Sequence, residues 1–204
     1  MLFESTVEPR TLQLLRDIQN LDELKEFILV GGTSLALQIG HRMSIDLDLF
    51  CSDEIEIATI TDLLQNLGKV EILNQTKSIL NLFIDDIKVD FVSYRYKLIK
   101  DFLQIDEFRL ASIEDISAMK LAAITGRGSK KDFIDLYFIL KQFSLSEIFE
   151  FYNRKYPDSS DFLVYKSLMY FDDAELEPMP KMLIPTEWNL IKEEIINQVK
   201  LNFP

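Results

Sequence analysis

The sequence lacks the residues that disulfide scaffolds and histidine metal centres need. Its 204 residues include one cysteine, Cys51, and one histidine, His41, so it offers neither an internal disulfide nor a multi-histidine metal site. A bound metal would therefore be held by carboxylates, which favours Mg²⁺ or Mn²⁺. Glycine and proline are scarce, at six each, and this excludes a collagenous or disordered chain.

Long apolar runs and a basic leader are also missing. No apolar stretch approaches the ~20 residues that span a bilayer, and no basic segment precedes an apolar one at the N-terminus. We therefore expect a cytoplasmic protein with no membrane contact. The 22 basic and 34 acidic residues give a net charge of −12, so binding to RNA or DNA would need a local positive site.

Hydrophobic periodicity divides the chain into a mixed front half and a helical back half. In the front half we expect helices over 9–20 and 33–39, a helix capped by Ser52 or Asp53 that ends at Leu67, and strands over 27–30, 45–51, 70–73, 79–84 and 87–92. The last two strands are expected to form a hairpin through Asp85 and Asp86.

The back half has the 3.6-residue period of helices. Pairs of a serine and an acid three residues later predict helix starts at Ser112, Ser129 and Ser144, and Thr186 is expected to cap a last helix after a loop over 172–180. These patterns indicate an α+β fold, with a mixed sheet flanked by helices in residues 1–110 and a helical region in residues 111–204.

Asp46 and Asp48 are the first candidates for chemistry. Residues two apart on a strand share a face, so both carboxylates point one way while Leu47 and Leu49 point into the core. A divalent cation would relieve the repulsion between the two acids. A solvated strand face is the alternative interpretation of an isolated Asp-x-Asp.

Asp90 interrupts an apolar strand, where a carboxylate is costly unless it is paired or binds a metal. If that strand neighbours the strand of Asp46 and Asp48, the three acids form one cluster. Such a cluster could hold two ions ~3.5–4 Å apart, the arrangement used for phosphoryl transfer. The alternative is an edge-strand acid paired with a nearby cation, namely Lys88, Arg95 or Lys97.

Two further features favour an anionic substrate. Gly31, Gly32 and Thr33 end a strand and open a helix, where backbone N–H groups and the helix dipole favour a phosphate. A plain strand-to-helix turn is the alternative. Residues 120–131 contain four cations and no acid. This stretch is either a solvated face or, beside a carboxylate metal site, a clamp for a triphosphate.

Together these residues resemble the AbiEii/AbiGii-type nucleotidyltransferase toxins, part of the DNA polymerase beta-like nucleotidyltransferase superfamily. The segments that carry the resemblance, in family order, are GGTSLAL (31–37) with GHRMSIDLDLF (40–50), KVDF (88–91), SIEDISAMK (112–120) and GRGSKKDFIDLY (126–137). The resemblance implies a nucleotidyltransferase-type mixed sheet. It also implies an enzyme that transfers a nucleoside monophosphate from an NTP and releases pyrophosphate.

The expected site follows from the motifs and the resemblance together. Three acids are expected to hold Mg²⁺ or Mn²⁺, namely Asp46, Asp48 and Asp90. The nucleotide phosphates are expected to contact Gly31, Gly32, Thr33, Lys120 and Lys131. The resemblance implies that Lys120 reaches these phosphates and that Asp132, in the K-D-x-x-D segment, belongs to the catalytic site.

The resemblance further implies the toxin of a bacterial toxin–antitoxin (abortive infection) system, with a cognate antitoxin as partner. The acceptor would be an RNA 3′ end, such as that of a tRNA, or a protein hydroxyl. One alternative is a catalytically silent module of the same fold that sequesters a partner through its helical half. Another is a glycosyltransferase that uses a metal-bound sugar nucleotide, which the Gly31–Thr33 turn does not support.

Overall fold

The computed structural model describes residues 1–203, which form two compact units. The first unit comprises Met1–Lys97 and Asp101–Ala111, and the second comprises Leu98–Lys100 and the chain from Ser112 onward. The domains expected from the sequence, 1–110 and 111–204, differ from this division because Leu98–Lys100 belongs to the second unit. Residue 204 lies outside the described range.

The first unit is a seven-stranded mixed sheet with helices, and this confirms the expected mixed sheet. Its elements are α1 (Pro9–Gln19), β1 (Ile28–Leu29), α2 (Gly31–Ile39), β2 (Leu47–Cys51), α3 (Ile57–Leu64), β3 (Val70–Gln75), β4 (Ile79–Ile84), β5 (Ile87–Ser93), β6 (Leu103–Ile105) and β7 (Phe108–Leu110). The strand order is β3-β4-β5-β2-β1-β7-β6. The pairs β2–β5 and β1–β7 are parallel, and the other neighbours are antiparallel.

Buried and partly exposed side chains alternate along β2, β4 and β5, and this alternation shows which face of the sheet is buried. The buried face carries an apolar row that packs with residues of α1 and α3 and includes Leu47, Leu49, Leu80, Leu82, Val89 and Phe91. The residues between them, among which are Asp48, Lys88 and Asp90, lie on the opposite face and stay partly exposed. One face of the sheet therefore builds the core, and the other is left for polar chemistry.

Some boundaries in the first unit differ from those expected. The helix α3 is preceded by Glu56 and not by Ser52 or Asp53, and it ends at Leu64. The hairpin of β6 and β7 was not expected, because its strands are three residues long and turn at Asp106, whose positive φ of 53° is unusual for a residue other than glycine. The hairpin turn at Asp85 and Asp86 is confirmed, with φ of 47° and 69°.

The second unit is helical, as expected. Its helices are α4 (Ile113–Gly126), α5 (Lys130–Ile139), α6 (Leu145–Lys155), α7 (Asp161–Leu168), α8 (Asp172–Glu175) and α9 (Trp188–Asn202). The caps at Ser112 and Ser144 are confirmed. Ser129 precedes α5 without a side-chain cap, and Glu187 replaces Thr186 before α9. In residues 1–203 we find no helix with the length and hydropathy needed to cross a membrane.

Replacing Leu82 by Ala should measure how much the core face of the sheet contributes to stability. Leu82 is fully buried on β4, whereas Leu73 on the edge strand β3 is 49% exposed. We expect Leu82→Ala to lower the free energy of unfolding by about 2–5 kcal/mol in urea titrations. Leu73→Ala should change it by less than about 0.5 kcal/mol, and equal losses would contradict the assignment of the core face.

Candidate functional site

The parallel pairing of β2 and β5 brings the expected acids to one face of the sheet. In this pairing Asp48 stands beside Asp90, and Leu47 stands beside Val89. Asp46 lies just before β2, and its negative charge acts on Lys88. Neighbouring strands lie ~4.8 Å apart, so the acids of both strands share one small area. We refer to Asp46, Asp48, Asp90 and Lys88 as the acidic site.

Lys88 is the direct partner of Asp90 in the acidic site. Its Nζ lies 2.7 Å from Oδ2 of Asp90, so the ion pair that the sequence left open as an alternative exists, although β5 is an interior strand and not an edge. Burial lowers the pKa of Lys88. The hydrogen bond to Asp90 and the negative charges of Asp90, Asp46 and Asp48 outweigh that effect, so the pKa is raised overall.

The acidic site is suited to a divalent cation in its chemistry but not in its present side-chain arrangement. Within residues 1–203, no three or more His, Cys, Asp or Glu side chains form a group that could hold a metal ion. However, Oδ1 of Asp90 is buried and accepts no hydrogen bond, a costly state that a cation would relieve. Carboxylate oxygens are the ligands that Mg²⁺ and Mn²⁺ prefer. The donor chemistry of these residues therefore fits such an ion.

The N-terminus of α2 lies against the acidic site. The backbone N–H of Val30 donates to the carbonyl oxygen of Asp48 at 2.9 Å, and α2 begins at the next residue, Gly31. Gly31 has a φ of +66°, and a Cβ there would lie 2.5 Å from Oδ2 of Asp48. The first N–H groups of a helix have no acceptor within the helix, so Gly31, Gly32 and Thr33 present donors beside Asp48.

The Thr33 side chain has a structural function at this turn. Its hydroxyl donates to the carbonyl oxygen of Asp46 and lies 2.8 Å from the Ser44 hydroxyl, and Thr33 is buried. These bonds fix the chain as it enters β2. The expected contact of Thr33 with a nucleotide phosphate stays a prediction, and its backbone N–H is the group placed to make it.

In the second unit, Lys120 is held by the two acids of the K-D-x-x-D segment. Its Nζ lies 2.9 Å from Oδ1 of Asp132 and 2.6 Å from Oδ2 of Asp135, and all three side chains are at least 93% buried. Asp132 also accepts bonds from Arg127 and from the Ser129 hydroxyl. We did not expect this network from the sequence. Contacts of Lys120 or Asp132 with a nucleotide stay predictions, since the network gives both residues a structural function.

The basic stretch over residues 120–131 is largely neutralised. Arg127 and Lys120 are paired with acids. The buried Lys130 donates an Nζ–H to the backbone carbonyl oxygen of Glu177. Lys131 is exposed. The expected excess of positive charge is therefore mostly cancelled within the second unit, and Lys131 is the member best placed to meet an anion.

A second buried ion pair joins Asp115 and Lys155, which lie 40 residues apart in the sequence. Their charged atoms are 2.7 Å apart, with side-chain exposures of 0% and 1%. Asp115 also accepts the backbone N–H groups of Ile99 and Lys100 and the hydroxyl of Ser112. The capping pattern links Asp115 only to Ser112, and no sequence signal points to Lys155.

Comparison with models of known protein families assigns the chain to one family. The model of the family described as "Nucleotidyl transferase AbiEii toxin, Type IV TA system" matches residues 13–203. The chain belongs to this AbiEii family. It is therefore a nucleotidyltransferase of a toxin family, which confirms the resemblance found in the sequence.

Relatives of this AbiEii chain match it over most of its length. An uncharacterised protein of Aquifex aeolicus (strain VF5) is 34% identical over 194 residues, which cover 92% of this chain and 93% of that protein. A candidate nucleotidyltransferase from H. pylori has a TM-score of 0.60 at 21% identity, with 95% and 92% of the two chains covered. The nucleotidyltransferase toxin MenT4 from Mycobacterium tuberculosis H37Rv has a TM-score of 0.60 at 14% identity, with 94% and 82% covered. The two structures show a shared fold.

Replacing Gly31 by Ala should disturb the acidic site of this AbiEii chain. The added Cβ meets Oδ2 of Asp48, and a positive φ is strained for alanine. We expect a loss of about 1–3 kcal/mol in the free energy of unfolding, together with loss of nucleotide transfer. Gly126→Ala is the matched control, because a Cβ there meets nothing within 4 Å. Equal urea midpoints for the two variants would contradict the strain at Gly31.

The network around Asp132 should make the protein sensitive to acid. Burial by itself raises the pKa of Asp132, but Lys120 and Arg127 outweigh it and lower that pKa from 3.8 to about 2. The stabilisation, about 2 kcal/mol, is therefore present above pH 4 and is lost as the pH falls from about 4 to 2.

The substitution Asp132→Asn removes the carboxylate whose protonation causes this loss of stability. In urea titrations we expect the stability gap between wild type and Asp132→Asn to shrink by about 2 kcal/mol between pH 4 and pH 2. Asp158, which is exposed, provides the control variant Asp158→Asn, which should follow the wild type at every pH. A gap for Asp132→Asn that does not change with pH would rule out the lowered pKa.

Proposed function

We propose that the chain transfers a nucleoside monophosphate from an NTP to a hydroxyl acceptor at the acidic site, in a reaction that depends on a divalent metal. The observation that carries this proposal is the register of β2 and β5, which sets Asp48 beside Asp90. Asp46 lies two residues before Asp48, just outside β2. The N-terminus of α2 adds backbone donors at the same place.

Each residue of the acidic site has a part in the proposed reaction. Asp46, Asp48 and Asp90 would hold Mg²⁺ or Mn²⁺. When bound, such an ion neutralises the triphosphate and orients its α-phosphate. Asp90 would also take up the proton of the attacking hydroxyl.

The backbone N–H groups of Gly31, Gly32 and Thr33 would bind the β- and γ-phosphates. These N–H groups have no acceptor within the helix, and they lie at the positive end of the helix dipole. Both properties favour the binding of an anion at the start of a helix. The expected contact of Lys131 with the nucleotide phosphates stays a prediction. For Lys120 and Asp132 we favour a supporting function, because their charges are already satisfied by one another and by Asp135.

The acceptor would be an RNA 3′ end, including that of a tRNA, or a protein hydroxyl. Family membership places the chain among toxins of type IV toxin–antitoxin systems, so we propose a cognate antitoxin as its partner in the cell. Incubation of the protein with each of four labelled NTPs, with total RNA and with total protein, would identify both the nucleotide and the acceptor class.

The double variant Asp46→Asn, Asp48→Asn tests the mechanism. It keeps the shape of both side chains and removes two negative charges, so we expect it to fold normally and to lose at least about 100-fold in labelled-nucleotide transfer. The control is Asp62→Asn, which removes one exposed acid on α3 and should retain full transfer. Undiminished transfer by the double variant would refute the mechanism.

Calorimetry separates this proposal from a silent binding module of the same fold. The enzyme should release or absorb heat with Mg²⁺ and its nucleotide, and the double variant should not. A wild-type protein without metal-dependent nucleotide heat would favour the silent module, for which the occupied Asp90–Lys88 pair is the structural argument.

A further inference from the structure

Lys88 is the cation of the acidic site. Its ammonium bonds to one oxygen of Asp90, Oδ2, and leaves the other, Oδ1, buried and without a hydrogen-bond partner. The Lys88 and Asp90 side chains are 38% and 16% exposed. The pair is thus sheltered enough to hold its geometry, and part of each side chain stays in contact with solvent.

The charges of the acidic site are suited to one divalent ion. Its three carboxylates and one ammonium leave a net charge of −2. Two divalent ions on the same residues would require Asp90 to serve the second ion, and one of its two oxygens is already taken by Lys88. An ammonium is a compact point charge with three donors, so it can neutralise a carboxylate as a metal ion does.

We infer that Lys88 takes the place of a second metal ion, holding Asp90 so that its remaining oxygen completes a site for a single divalent cation. This inference rests on the proposed function, because it takes the acidic site to be the metal site. Lys88 is then a positioning residue that acts through Asp90. The same ammonium keeps the three acids from repelling one another before any ion binds.

The number of bound ions tests this inference without measuring activity. Mn²⁺ would be titrated into the full chain at 150 mM KCl, and the free ion would be counted by electron paramagnetic resonance. The double variant Asp46→Asn, Asp48→Asn gives the background binding of an acidic protein. Above that background we expect one Mn²⁺ per chain for the wild type.

Variants of Lys88 test whether the charge of its side chain or the shape of that side chain limits the number of bound ions. Lys88→Met should bind two Mn²⁺ above background, whereas Lys88→Arg, which keeps the charge, should bind one. Lys77→Met removes an equally charged residue that is exposed after β3, and it should bind one. Without metal, Lys88→Met should melt about 3 °C below Lys77→Met, and Mn²⁺ should remove that difference.

Each result distinguishes this inference from the proposed function. Two Mn²⁺ in the wild type, or only one in Lys88→Met, would overturn the inference while leaving a metal-dependent enzyme. No Mn²⁺ above background in the wild type would overturn both. The wild-type count decides between one ion and two even if Lys88→Met is too unstable to purify.

Discussion

The parallel pairing of β2 with β5 is the constraint on which the acidic site depends. It joins two segments about 40 residues apart in the sequence and sets Asp48 beside Asp90 on the face of the sheet that does not build the core. The alternation of apolar and polar residues along β2 and β5 fixes the register of this pairing. A slip of one residue would turn Leu47, Leu49, Val89 and Phe91 out of the core. The burial of four apolar side chains therefore fixes the position of two acids.

Lysine neutralises acids in both units, and the degree of burial separates the two cases. Lys120 lies between Asp132 and Asp135 with almost no exposure. Removing one partner there would leave an uncompensated buried charge, so the network is fixed. Lys88 and Asp90 remain partly exposed, so solvent screens their ion pair and the pair contributes less to stability. The first arrangement suits structure, and the second suits binding.

The sequence predicted those features that depend on local pattern. The strands of Asp48 and Asp90, the turn at Asp85 and Asp86 and the cap at Ser112 follow from alternation, turn chemistry and capping. Partners set by tertiary contact could not be predicted. The ion pair of Asp115 with Lys155 spans 40 residues, and the bonds of Lys120 to Asp132 and Asp135 depend on how α4 packs against α5. Short strands such as β6 and β7 carry too few residues for a period to show.

The charged side chains of this protein act mainly on groups that lie close to them. With a net charge of −12, the chain repels a polyanion at long range. Two of the four cations in the basic stretch over residues 120–131, Lys120 and Arg127, are paired with acids. Beyond a Debye length of about 8 Å, salt screens such charges in any case. An anionic substrate is therefore recognised, under the proposed function, by groups within a few ångströms of the acidic site. The start of α2 supplies donors that carry no net charge, and these do not require a basic surface.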